Sequence, residues 1–531
     1  MSTYLQTFAE SAFRLKTIFG RAAIALSLLL ILIFVTTRSH GNGWEHGAIP
    51  FEALVKALES ESPEMRMRAA QSLGVRGQPE AMEPLLDCLA IPEKNPLVRS
   101  ALYTALGKLG DRRGIPALTV CLNNETREEL RSDCVAALGA IGEESSLPML
   151  LTALKKDSSF LVQSSAVDAL GGFSTGASVQ NLAALVTGTG NRTLRQRAIR
   201  AIGKTGSPAA VNPLLLALSD SPGTRERLLI VSALTNLRSA EATEPLTALL
   251  HKTDDPQLRS QIVIALGAVH DGDAYPTLIE MLTDKVPAVR YFAVKSLHDQ
   301  GYKEAASPIS RMSLEISRRL VRQSNRQLLS EPVPVVADLS FQVVALQAIA
   351  DLGAPLGLQA LLQAARPRPI PIPRESAAAL KLAEGFYRQR RAALYGLGYT
   401  KSQEAAEFLA GQAGIGDPDF RLRAVAVRSI GVLGFPGAVD AAIACLDDQV
   451  AEVRWTGAAV LGRLHDPKAV KALIKELSDI NSEVRRQAAL SLGYLADPLA
   501  AVELNRLAKA DENQDVQTAA AYSLKLVTRQ P

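Results

Sequence analysis

Beyond residue 50, apolar positions recur at i, i+3, i+4 and i+7, the spacing of one buried helix face, as in Val453, Ala458, Leu461 and Leu464 with their small neighbours. A tight turn follows each such stretch, written as Gly or a tolerant substitute, then Asp or Ser, then often Pro. Asp466-Pro467, Asp497-Pro498 and Ser207-Pro208 read as N-cap and N1 pairs opening a second helix. The pattern therefore predicts a helix A, a turn and a helix B, with no place for strands.

The same unit is copied along the chain. Val98 to Leu122, VRSALYTALGKLGDRRGIPALTVCL, matches Val453 to Leu477, VRWTGAAVLGRLHDPKAVKALIKEL, and the run VRRQAALSLGYLADPLAA from Val484. The large apolar residue of a Leu-Gly step marks each copy: Leu73, Leu106, Leu138, Leu170, Ile202, Leu234, Leu266, Leu297, Ile349, Leu397, Ile430, Leu461, Leu492 and Leu524. Those fourteen markers stand 31 to 33 residues apart, except for two adjacent spacings of 52 and 48. A helix pair of this length cannot bury its apolar face alone, so neighbours must stack. The fold class expected is all-α: an α-solenoid of about fourteen helix-pair repeats.

Composition agrees. The chain of 531 residues is 47% hydrophobic and only 5% aromatic, a core of Ala, Leu and Val suited to closely stacked helices. Its net charge of +4 is small for this length, so no nucleic-acid partner is expected. Cys88, Cys121, Cys134 and Cys445 show no CxxC spacing and have no nearby histidine, and they read as buried small hydrophobes.

The first fifty residues differ. Leu5, Phe8, Ala12, Leu15 and Phe19 recur at helical spacing, predicting an interfacial amphipathic segment over 1–20. Ile18 to Thr37 is apolar but for Arg21, long enough for a single transmembrane helix, placed at 21–37. Arg14, Lys16 and Arg21 precede it and only Arg38 closely follows, which sets the N-terminus in the cytoplasm and the body on the outer, periplasmic side. The alternative is a cleaved secretory signal, with Ser39 and Gly41 as small cleavage-site residues. Residues 38–49 read as a short linker.

Charged residues repeat with the same period. Seven residues before the markers stand Arg66, Arg99, Arg131, Arg195, Arg227, Arg259, Arg290, Arg390, Arg423, Arg454 and Arg485, with Gln163, Gln342 and Gln517 in the other copies. Six residues earlier again lies an acid: Glu93, Glu125, Asp157, Asp284, Glu384, Asp417, Asp448, Asp479 or Asp511. An acid there suits the positive end of helix A and is within reach of a neighbouring repeat's arginine. The competing reading is a row of arginines lining a ligand groove.

These features resemble the HEAT-repeat superfamily, in particular the short bacterial repeats of phycobilisome lyases. The resemblance covers roughly Pro50 onward and implies a binding surface, with the Arg/Asp positions acting as a ladder that holds repeats in register. Some relatives are enzymes. Deoxyhypusine hydroxylases bind two irons through His-Glu pairs, but none of the six histidines here precedes Glu. His270-Asp271 and His465-Asp466 suggest carboxylate-oriented bases, yet both histidines replace the turn glycine and suit a left-handed backbone. No Walker loop, GxSxG elbow or HExxH is present, so no catalytic residue, metal or cofactor is expected. A bilin-lyase-like or oxidoreductase-type enzyme is the alternative.

The two long spacings define residues 311–391, between repeat arrays at 50–310 and 392–531. Both carry Pro-rich stretches, EPVPVV from Glu331 and RPRPIPIPRE from Arg366, read as PPII-like segments outside the stack. Arg311 to Ser330 has a net charge of +4 and Arg366 to Arg391 of +5, so positive charge gathers where the period fails. Arg311, Arg318, Arg319, Arg322, Arg326, Arg366, Arg368 and Arg374 are the candidate contacts to an acidic protein partner; a solvated face on a longer helix pair is the alternative. The function expected is a membrane-anchored, non-catalytic scaffold.

Overall fold

The computed structural model describes residues 49–528 apart from 189, 221–222, 323–331, 368–376 and 415. The amphipathic segment and the transmembrane helix expected within 1–37 lie outside these residues. The chain forms two compact units, one ending at Leu237 and the other beginning at Arg238. Both are all-helical among the described residues, as the sequence pattern predicts.

In the first unit a lone helix, Phe51–Ala57, precedes five A/B pairs beginning with Pro63–Arg76 and Met82–Ala90, and Thr224–Leu237 is a sixth A helix. The second unit opens on the B helix Thr243–Lys252, continues through seven pairs and closes on the A helix Gln514–Thr528. Every one of the fourteen markers falls on an A helix. All are buried except Leu524, which lies on the last described helix and is half-buried.

The Leu-Gly step has a packing reason. Successive A helices lie against each other within each unit, and the glycine after the marker is where they approach. A methyl on Gly107 would sit 2.7 Å from Cα of Ala137, and one on Gly203 the same distance from Cα of Ala233. Backbone packs on backbone there, which needs a small residue on both helices. Helix A then ends on a left-handed residue, such as Gly77, Gly110 or Gly142. In most repeats a single 3₁₀ turn leads into helix B, capped in one by Asp111, which accepts from Arg113 N at 2.9 Å, and in another by Asp497, which accepts from Leu499 N at 2.9 Å. Ser207 starts an equivalent turn without a side-chain cap.

At the long spacings the extra residues among those described are largely helical. The A helices there, Pro332–Gly353 and Ala377–Leu397, have 22 and 21 residues against 14 in Phe420–Leu433, and the B helix Ala306–Arg322 has 17. The expectation of a PPII segment at EPVPVV is thus corrected. Pro332 and Pro334 sit in the first turn of a helix, where no backbone N–H needs an intrahelical partner. The stretch Val335–Ala365 is apolar and long enough to cross a membrane by composition alone. It is instead two helices joined by a 3₁₀ turn, and Leu339, Phe341, Ala345, Leu346 and Ile349 are buried inside the second unit.

Candidate functional site

At eight repeat junctions a periodic arginine meets the periodic acid of the next repeat. Arg423 is bidentate on Asp448, Nε to Oδ2 at 2.7 Å and Nη2 to Oδ1 at 2.9 Å. Arg454 grips Asp479 in the same way, as Arg131 does Asp157 and Arg485 does Asp511. Arg66 pairs with Glu93, Arg99 with Glu125, Arg259 with Asp284 and Arg390 with Asp417. In several of these pairs a second bond ties the guanidinium to its own repeat: Nη1 of Arg423, Arg454 and Arg485 donates to the carbonyl of Asp417, Asp448 and Asp479 at 2.8 to 2.9 Å. Each of these three arginines thus staples its own helix start to the next repeat's acid.

The departures follow the same logic. Gln163 and Gln517 keep only the bond to their own repeat, to the carbonyls of Asp157 and Asp511 at 2.9 and 2.6 Å. The copy after Gln163 has Thr189 at the acid position, and no described repeat follows Gln517. Gln342, buried, bonds Ser313 O, Ser317 and Gln389 instead, so Glu384 receives no arginine from the preceding repeat and pairs with Arg388 on its own helix. Arg290 meets Asp338 at 2.9 Å, and Arg195 meets Glu226, also at 2.9 Å. Both acids stand off the usual offset.

Of the candidate partner contacts, Arg326, Arg368 and Arg374 lie outside the described residues. Arg311, Arg318 and Arg322 share one exposed stripe of the helix Ala306–Arg322, with Glu315 among them. Arg366 is exposed at the end of the helix Leu358–Ala365. Arg319 differs from these. It pairs with buried Asp338, the acid that also holds Arg290, so this arginine is engaged at the junction while its side chain stays about half exposed.

The second unit does carry a basic surface, one helix further on. A groove of about 730 Å³ crosses four successive A helices: Pro332–Gly353, Ala377–Leu397, Phe420–Leu433 and Ala451–Leu464. Arg388, Arg391, Arg428 and Arg463 line it, with Glu384 as its one acid. Tyr395 and Tyr399 form part of its lining, their rings 5.0 Å apart and their hydroxyls 2.9 Å apart. That bond, with some burial, pushes the Tyr395 phenol up to about 12, so its hydroxyl remains protonated at neutral pH. Tyr387 lies under the Arg421 guanidinium at 4.2 Å, and Arg428 faces the Trp455 ring at 5.6 Å. Unlike the ladder arginines, Arg391, Arg428 and Arg463 make no ion pair among the described residues. Sequence reasoning missed Tyr395, Tyr399, Arg428 and Arg463. They occupy positions two before or two after the markers, which are exposed in the repeat and so carry no periodic signal.

Elsewhere the residues that hinted at chemistry have structural roles. His270 and His465 adopt left-handed backbone, φ 54° and 53°. Their Nδ1 atoms donate to the carbonyls of Ala268 and Arg463 at 3.0 and 2.9 Å, a bond to the end of their own helix. The reading of all four cysteines as unpaired hydrophobes is corrected for two. Cys121, on helix B of one repeat, and Cys134, on helix A of the next, form a disulfide with Cα atoms 6.5 Å apart. Cys88 is half-buried and Cys445 buried, both free. Among the described residues no group of three or more His, Cys, Asp or Glu is placed to hold a metal ion.

The family described as HEAT repeats matches at residues 51–139, 90–171, 147–235, 243–330, 376–457 and 440–525, most of the chain. The chain belongs to the HEAT-repeat family. This match does not single out the phycobilisome-lyase type within it. No curated protein matches. Among solved structures, the HEAT chain is similar to Kap95p in its structure with RanGDP, at 12% identity over 93% of this chain and 79% of that one, TM-score 0.48. It is similar to importin β at 14% identity over 92% and 80%, TM-score 0.44. Human deoxyhypusine hydroxylase, an enzyme by name, matches at 23% identity over 47% of this chain and 95% of its own, TM-score 0.22. At these identities the likenesses speak of fold alone, and partners must be argued from the HEAT surface itself.

Proposed function

We propose that this HEAT-repeat chain is a non-catalytic scaffold, anchored in a membrane by residues 21–37, whose helical surface holds a protein partner on the outer side. The observation that carries the partner-binding part is the groove of the second unit. None of its arginines pairs with an acid of a neighbouring repeat among the described residues, and Tyr395 and Tyr399 are exposed, yet these are large side chains gathered on one surface. Two features support export: the apolar N-terminal segment and the Cys121–Cys134 disulfide, a bond that persists in oxidising compartments. The test is crosslinking and capture from native membranes after a carbonate wash. The full-length chain should stay in the membrane pellet and bring down a partner. A soluble mature chain beginning near His40 or Asn42 would replace the anchor with a cleaved signal, and no captured protein would remove the scaffold.

A further inference from the structure

The ladder arginines are each bound to a carboxylate of the chain itself, as in the eight junction pairs above. Arg391, Arg428 and Arg463 break that habit together, on three neighbouring A helices and around one groove. With Arg388 and Glu384 the lining carries a net +3 in a chain whose total is +4. An exposed cation next to an aromatic face is set to meet a carboxylate without first breaking an internal pair. The tyrosines add the second half of a recognition surface. Tyr395 and Tyr399 are 44% and 41% exposed, and their mutual hydroxyl bond holds the two rings as one platform, so little side-chain freedom is left to lose on binding.

The shape selects an extended ligand. Helices in contact stand roughly 9 to 10 Å apart, so the three steps across the four A helices cover roughly 30 Å, about nine residues of extended chain. A continuous polyanion is disfavoured because Glu384 interrupts the basic wall and the remaining charges are few. A segment that alternates acids with apolar side chains meets both components.

Resting on the scaffold reading above, we propose that this groove receives an extended acidic segment of the partner protein, its carboxylates on Arg391, Arg428 and Arg463 and its apolar side chains on Tyr395 and Tyr399. The probes are a fluorescein-labelled nonapeptide alternating glutamate with phenylalanine, its lysine-for-glutamate counterpart, and a nine-residue oligothymidylate, each titrated against the full chain in detergent. The acidic peptide should bind at least tenfold more tightly than the lysine peptide or the oligonucleotide, and weaken as salt rises. The triple variant Arg391→Gln/Arg428→Gln/Arg463→Gln should lose at least tenfold with unchanged helicity. Tyr395→Ala/Tyr399→Ala, tested separately, should weaken binding without removing its salt dependence. Equal binding of both peptides, tighter binding of the oligonucleotide, or a triple variant that binds as the parent does would overturn the assignment. If the triple variant does not fold, Arg428→Glu alone must show the loss. Capture from native membranes separates the two readings: a partner retained by the triple variant removes the groove and leaves the scaffold, whereas no capture by the parent removes the scaffold.

Discussion

The junction between Arg423 and Asp448 offers a quantitative test of what the ladder contributes. Asp448→Ser deletes the acceptor of two charge-assisted bonds and leaves a guanidinium, only 12% exposed, with Nε and Nη2 facing an empty site. Breaking a buried pair costs about 3 to 5 kcal/mol. Because Nη1 keeps its bond to the Asp417 carbonyl at 2.9 Å, the lower end applies, about 3 kcal/mol. Arg423→Gln alone should cost a similar amount by stranding the buried Asp448 carboxylate. The double variant Arg423→Gln/Asp448→Ser reproduces the arrangement at Gln163, where an amide bonds only its own repeat and no acid follows. It should cost about 2 kcal/mol, far below the sum of the singles. Hydrogen exchange of amides in Phe420–Leu433 and Ala451–Leu464, with urea unfolding of the full chain, reads these differences locally. A double variant as destabilised as the two singles added together would refute a coupled ladder and reduce each arginine to an independent surface contact. The pH dependence gives a second check. Burial pushes the Asp448 carboxyl up, but its bonds from Arg423 and Val450 N outweigh this and hold it below the usual range. The stabilisation is therefore present above about pH 4 and is lost as pH falls through the depressed folded value.

Further outcomes follow from other sites. Gly107→Ala should destabilise the first unit by about 1 to 3 kcal/mol, read by thermal melting, because the methyl would overlap Ala137 at 2.7 Å and outweigh alanine's better helix propensity. Glu476 is buried and then further opposed by Asp479, which pushes its carboxyl up to about 7. Its raised value means that stability should decline as pH rises from about 4.5 to 7, and Glu476→Gln should flatten that slope in a pH series of urea unfolding curves. Cys134→Ala should lower the stability of the first unit by up to about 3 kcal/mol, the value for a loop of this length. Intact-mass analysis of alkylated parent protein should find two thiols, and four would show that the Cys121–Cys134 bond does not form.

The period was legible because every repeat buries the same face against its neighbour, so selection for packing writes the same residues at the same offsets. The ladder offsets were legible for the same reason, although Arg319 was not, since its partner Asp338 stands off the usual position. Pro332 and Pro334 misled because proline at a helix start and proline in PPII look alike without the following turns. The disulfide left no pattern: residues 13 apart on two helices come together only through the bend between them. The groove was hidden because Tyr395, Arg428 and Arg463 belong to different repeats and occupy exposed positions, where packing imposes no period.

Each ladder repeat presents an acid on one side and an arginine on the other, and this makes the unit a two-ended connector. Excision of the 31 residues from Ala424 through Arg454 would leave Arg423 leading directly into the sequence that ordinarily follows Arg454, with Asp479 in the place of Asp448. The severed ends carry the same plug and the same socket. Copies of this kind can be lost or gained one at a time without inventing a new joint, whereas the stretch around Gln342, whose partners are Ser313, Ser317 and Gln389, has no spare end to offer. Variation in array length should therefore be concentrated among the arginine-and-acid repeats, with the Gln342 region retained as a fixed piece around which the others are counted.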